Sequence, residues 1–119
     1  MGLRVKVKIC YNNKCVEENA LLNTGFETDE PVVSLPVRLA ENLGLNILSS
    51  VEFEDPGFTK GTAYFGDYVM LEVSLNNESR GIKAKALITP GEEEAIVSDK
   101  CIEELGLVLD LRKGKVWFT

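Results

Sequence analysis

The sequence predicts a mainly β domain with two short helices, arranged as two related halves. Leu3, Val5, Val7 and Ile9 alternate strictly with Arg4, Lys6, Lys8 and Cys10, the period of a half-buried strand. Short strand-like runs recur between Asn- and Gly-containing turns, the pattern of successive hairpins. One order of apolar run, polar turn, short strand and amphipathic helix occurs twice.

The first strand turns at Tyr11-Asn12-Asn13-Lys14, where Asn tolerates left-handed backbone, and returns as Cys15–Leu22. This partner becomes apolar at Ala20-Leu21-Leu22, so it should run into the core. It ends in the polar turn Asn23-Thr24-Gly25, and an acidic loop with Glu27, Asp29 and Glu30 follows. These carboxylates lack the Asp/Asn-Gly spacing of a calcium loop and read as solvated. Val32–Leu35 is a short strand. Pro36 suits a helix's first turn, Leu39, Ala40 and Leu43 give that helix one apolar face, and Gly44 ends it.

Asn46–Gly57 reads as strand and turn, and Phe58–Phe65 as a hairpin with its tip at Lys60-Gly61. A phosphate loop is excluded there, since Lys precedes Gly and the earlier glycine of that motif is missing. Tyr68–Leu75 and Gly81–Ile88 are strands joined through Asn76-Asn77-Glu78-Ser79. Beyond Pro90-Gly91, Glu92-Glu93-Glu94 read as a solvated charge run. Ala95-Ile96-Val97 is a buried strand, Ser98 or Asp99 caps a helix through Leu105, and Gly106 stops it. Leu107–Leu111 and Val116-Trp117-Phe118 close the chain as a last hairpin, with Trp117 expected in the core or at an interface.

The repeat is specific in its order. Ala20–Gly25, Val32–Pro36 and Glu41–Leu45 are echoed by Ala86–Gly91, Ala95–Ser98 and Glu103–Leu107, with a shorter loop in the second copy. Such an arrangement describes a pseudo-two-fold domain of two strand–turn–strand–helix units, about 15–47 and 81–111.

Composition bounds the chemistry. The 119 residues fit one domain, which can bury roughly two-thirds of its unfolded surface. A net charge of −6 argues against a nucleic-acid partner. No run approaches the roughly 20 apolar residues that span a bilayer, so no membrane partner is expected. The alternating charges of the first residues do not form a signal peptide, and a cytoplasmic address is expected. Cys10 and Cys15 could face each other across the first hairpin. A bridge is geometrically possible there, although a reducing cytoplasm disfavours it. The absence of histidine excludes Ser-His and Cys-His pairs and argues against a transition-metal site, and no cofactor is implied. Hydrolytic chemistry would have to come from carboxylates, Lys, Tyr or a lone thiol.

Over nearly its whole length the chain resembles the retropepsin-like aspartic peptidases, especially the small single-domain archaeal ones. Ala20–Gly25 is similar to the apolar run that leads into Asp-Thr-Gly in that family, and Pro31–Leu45 to the strand and helix that follow. Phe58–Phe65 stands where the family carries its flap hairpin, and Ala95–Leu107 is similar to its second strand and helix. Ile96-Val97-Ser98 replaces the apolar-apolar-Gly of retroviral members. The resemblance implies a closed β-barrel and an aspartic endopeptidase that acts on extended peptides as a homodimer. Each subunit would contribute one turn to the dimer axis. Asn23 takes the position of the catalytic Asp, Thr24 would cross-brace the two turns, and Gly25 would allow close approach of a peptide. Glu27 would hold substrate main chain, and Lys60, Gly61, Thr62 and Ala63 would form the flap tip.

Asn23 is the departure that matters. In the family two carboxylates share a proton, because like charges so close cannot both ionise. An amide has nearly the same shape but accepts no proton near neutral pH. The resemblance therefore implies that the chain as written is catalytically silent. Two origins fit this: a deliberate Asp→Asn substitution, or natural loss of chemistry in a peptide- or protein-binding module. A plain turn in an unrelated β-rich domain is the third reading.

Overall fold

The computed structural model describes residues 2–54 and 60–119. Strands β1 (Leu3–Tyr11) and β2 (Lys14–Leu22) form an antiparallel hairpin, in register from Leu3 opposite Leu22 to Tyr11 opposite Lys14. The hairpin closes tightly because Asn12 and Asn13 both hold positive φ, 46° and 67°. Such a turn matches the right-handed twist of the strands it joins. The same device recurs at Asn76 and Asn77, at 47° and 67°, between β5 (Lys60–Leu75) and β6 (Glu78–Ile88). The register also places Cys10 directly opposite Cys15, their Cα atoms 4.1 Å apart, and the two are bonded. The bridge that a reducing cytoplasm was expected to disfavour is therefore present.

The remaining elements are β3 (Val32–Leu35), α1 (Val37–Leu43), β4 (Ile47–Glu54), β7 (Ala95–Val97), α2 (Asp99–Leu105), β8 (Leu107–Asp110) and β9 (Lys115–Phe118). Six strands close on themselves in the order β1-β2-β7-β3-β6-β5, with β5 returning to β1 from Val7 opposite Val73 to Cys10 opposite Met70. The expected mainly β fold, a closed barrel with two short helices, is what the chain forms. Strand β4 extends the sheet outside the ring by pairing with β5, while β8 and β9 make a separate hairpin.

Val7, Ile9, Leu35, Val69, Leu71 and Val73 meet in the core, each almost inaccessible to solvent. Helix α1 covers it with Leu39, Ala40 and Leu43, and α2 with Cys101, Ile102 and Leu105. Both helices stop at a left-handed glycine, Gly44 and Gly106, each at φ 69°. That conformation costs glycine little because it lacks a Cβ.

One expectation is corrected and another is narrowed. Lys60 and Gly61 are not a hairpin tip: they begin β5, opposite Glu54 and Phe53 of β4. Phe58 and Thr59, expected as the first arm of that hairpin, lie outside the described residues. Eight-residue β4 offers β5 a longer partner than those residues could. A register shift between Phe65 and Tyr68 then lets one 16-residue strand serve both the β4 hairpin and the barrel wall. Trp117 is 42% exposed, so of its two expected places, core and interface, the core is excluded.

Candidate active site

The centre of the barrel places two turns in matching positions. Strand β2 runs parallel to β7, β3 runs parallel to β6, and β3 and β7 pair antiparallel between them. Where β2 ends, the Asn23 N–H donates to the Val97 carbonyl at 3.2 Å. Where β6 ends, the Thr89 N–H donates to the Leu35 carbonyl at 2.9 Å. Each turn then closes on itself: Phe26 N–H donates to Asn23 O at 3.1 Å, and Glu92 N–H to Thr89 O at 3.2 Å. The two turns thus share one set of backbone bonds, with Thr89 standing where Asn23 stands in the other half.

The Asn23 side chain is held within its own turn. Its Oδ1 accepts the Gly25 N–H at 3.0 Å, an Asx turn that fixes the direction of the amide. A Cβ on residue 25 would stand 3.3 Å from that oxygen, so glycine keeps the arrangement uncrowded. The loop that follows is tied down as well. Asp99 N–H donates to Phe26 O at 2.9 Å, and Asp99 Oδ1 accepts the Thr28 N–H at 3.0 Å. Glu30, expected to be simply solvated, accepts the Tyr68 hydroxyl at 2.5 Å, and this bond raises the phenol's pKa above its ordinary value.

The Asn23 turn, the Thr89 turn and the inner side of β5 enclose a groove of about 600 Å³. Phe26, Val51, Ala63, Phe65, Leu87 and Ile96 give it apolar walls, while Asn23, Ser34, Thr89 and Glu92 supply polar points. Few fixed polar groups among apolar walls is the usual character of a ligand site. Ser34 and Thr89 join across it, their hydroxyl oxygens 2.9 Å apart.

Of the residues expected to form a site, Asn23, Gly25 and Ala63 line this groove. Thr24 and Glu27 are exposed beside it and are not among its lining residues. Gly61 and Thr62 lie on β5, with Thr62 exposed. Three polar lining residues were missed in the sequence. Thr89 was legible from the repeat, as the counterpart of Asn23. Ser34 was visible only as a hydroxyl inside the apolar run Val32–Leu35.

Glu92 was hidden in its acidic run, and the structure corrects that reading. Glu94 pairs with Arg4 at 3.1 Å. The Glu93 carbonyl accepts from Arg38 Nη2 at 3.1 Å, and Glu92 lines the groove. The free thiol belongs to none of this. Cys101 is buried, its Sγ reaches the Val32 carbonyl at 3.3 Å, and burial pushes its pKa up, away from the thiolate that a nucleophile needs. Among the described residues no group of His, Cys, Asp or Glu could hold a metal ion, and no helix is long and apolar enough to cross a membrane.

No family model matches the chain, and no curated protein matches it in sequence. Solved structures do. The EIAV protease complexed with the inhibitor HBY-793 superposes over 93% of this chain and 94% of its own, with a TM-score of 0.62 at 19% identity. The retroviral protease-like domain of Ddi1 from Leishmania major covers 99% of this chain and 88% of its own, with a TM-score of 0.62 at 14% identity. The chain has a retropepsin-like fold. Within that retropepsin-like barrel, the groove is bounded on one side by the two central turns and on the other by β5, the strand that also carries the β4 hairpin.

Proposed function

We propose that the chain is an aspartic-endopeptidase scaffold, working as a homodimer on extended peptides, whose chemistry is silenced at Asn23. One observation carries this reading: the Asx turn presents residue 23 at the floor of an apolar groove in a retropepsin-like fold. Two copies would bring two such turns together at the dimer axis, with Thr24 bracing them and Gly25 leaving room for peptide backbone. The β4–β5 arm, with Lys60, Gly61, Thr62 and Ala63, would cover the peptide, and Glu27 would hold its main chain. The matching bonds at Asn23 and Thr89 support an origin of the two halves by duplication.

With carboxylates at position 23, one would take a proton from a water while the other donated one to the scissile carbonyl. An amide does neither. The second reading, a non-catalytic module that grips peptides or a protein partner, is favoured by Asn23 itself, whose amide accepts no proton near neutral pH. The expected cytoplasmic address sits poorly with the Cys10–Cys15 bridge, which an oxidising compartment would preserve.

Asn23→Asp separates the two readings. The variant is expected to cleave members of a mixed peptide library between acidic and neutral pH, blocked by a statine-type inhibitor, while the present chain leaves the library intact. A folded, dimeric variant that cleaves nothing would overturn the peptidase reading in favour of the binding module.

A further inference from the structure

On the peptide-groove reading above, we propose that Glu92 makes the groove selective for a peptide carrying a basic side chain beside an apolar one. Among the described residues that line the groove, Glu92 is the one ionisable group. The fold divides three consecutive glutamates between different tasks. Glu94 is neutralised by Arg4 at 3.1 Å, and Glu93 gives its carbonyl to Arg38. Glu92 meets no cation among the described residues. Lys85 Nζ lies 4.7 Å from the ring centroid of Phe65, but Lys85 does not line the groove.

The loop that carries Glu92 is fixed rather than free to swing out. Its N–H is bound to Thr89 O at 3.2 Å. Arg38, which clamps the next residue's carbonyl, is itself held by Glu18 at 2.7 Å. Glu92 is half-buried, beside walls formed by Phe65, Leu87 and Ile96. A carboxylate at the edge of a low-dielectric surface attracts an ammonium or guanidinium more strongly than one in open water. The apolar walls accept both a neighbouring apolar side chain and the aliphatic stem of the basic one. An acidic side chain in the same place would be repelled, with no cation among the described lining residues to offset it.

Because the present chain carries Asn23, binding can be read without turnover. End-labelled extended peptides that differ at one position, apolar-Arg, apolar-Gln and apolar-Glu, are titrated with the full chain by fluorescence anisotropy. The Arg peptide is expected to bind about fivefold more tightly than the Gln peptide, with the Glu peptide weakest and the spread shrinking in high salt. Glu92→Gln is expected to erase the ranking, and Glu92→Lys to invert it. Equal affinity for all three peptides, or an unchanged ranking in folded Glu92→Gln, overturns the proposal and leaves peptide binding standing. No binding of any peptide overturns both. The peptide series needs no substitution in the protein, so a poorly folding variant does not shield the proposal.

Discussion

Removing the Ser98 hydroxyl should cost about 2–3 kcal/mol, because one buried atom serves two elements. Ser98 is inaccessible to solvent. Its Oγ accepts the N–H of Cys101 at 3.4 Å, capping α2, and the N–H of Val32 at 3.1 Å, at the head of β3. Ser98→Ala removes the cap, worth about 1 kcal/mol. It also leaves the Val32 N–H without its partner in a buried strand, at about 1–3 kcal/mol. The long capping bond places the first contribution at the low end. For 119 residues, an unfolding entropy of about 2.1 cal/mol/K per residue turns this loss into a fall in Tm of roughly 8–12 °C. Ser98→Gly keeps most of the capping preference but still orphans Val32, and so should recover only part of the loss. Urea titrations at constant m-value measure both variants, and hydrogen exchange at the Val32 amide locates the damage. Since neighbouring Val97 O receives the Asn23 N–H, exchange there should quicken too. A change below about 0.5 kcal/mol in both variants, with Val32 still protected, would refute the reasoning.

Arg80 holds the end of α2 to the end of the chain, donating to Leu105 O at 3.0 Å and Thr119 O at 2.6 Å with its guanidinium 4.4 Å from the Phe118 ring centroid. Arg80→Met should cost about 1–2 kcal/mol and speed exchange at the Thr119 amide; a loss under about 0.3 kcal/mol by urea titration would contradict it. Burial raises the Cys101 pKa, so its neutral thiol contributes fully below the unfolded value of about 8.5 and loses that contribution as pH rises through the folded value. Stability should therefore decline as pH rises above about 8.5, less steeply in Cys101→Val. With Cys10 and Cys15 bridged, iodoacetamide reports Cys101 alone, and labelling in native buffer as fast as in denaturant would refute its burial.

What the sequence made legible was local chemistry. Alternation over Leu3–Cys10, paired asparagines at tight turns and glycines after helix ends each act within a few residues, and each stands where expected. What stayed hidden was long-range. Ile47 and Leu48 are apolar yet 60% and 63% exposed on an edge strand, so β4 gave no clean alternation and the start of β5 was read as a turn. The groove is assembled by parallel pairing of β2 with β7 and β3 with β6, strands far apart in the chain. Only that pairing separates Glu92 from Glu93 and Glu94. The Cys10–Cys15 bridge failed on a premise about compartment, not on geometry.

The site also shows that shape and chemistry can be separated at one side chain. Asn23 uses its carbonyl oxygen to accept the Gly25 N–H, a bond that a carboxylate would make at least as strongly. The turn is therefore built equally well for either residue, and the barrel positions both in the same way. Everything that shapes the groove, from the Ser34–Thr89 pair to the walls on β5, is independent of whether residue 23 can carry a proton. On the proposed reading, binding and turnover then rest on different atoms. With an amide at the floor, the ionisable group left among the described lining residues is Glu92, which attracts a cation but stands outside the turn that would present a nucleophilic water. Such a chain should hold a peptide at the groove for as long as its contacts last, and release it uncut.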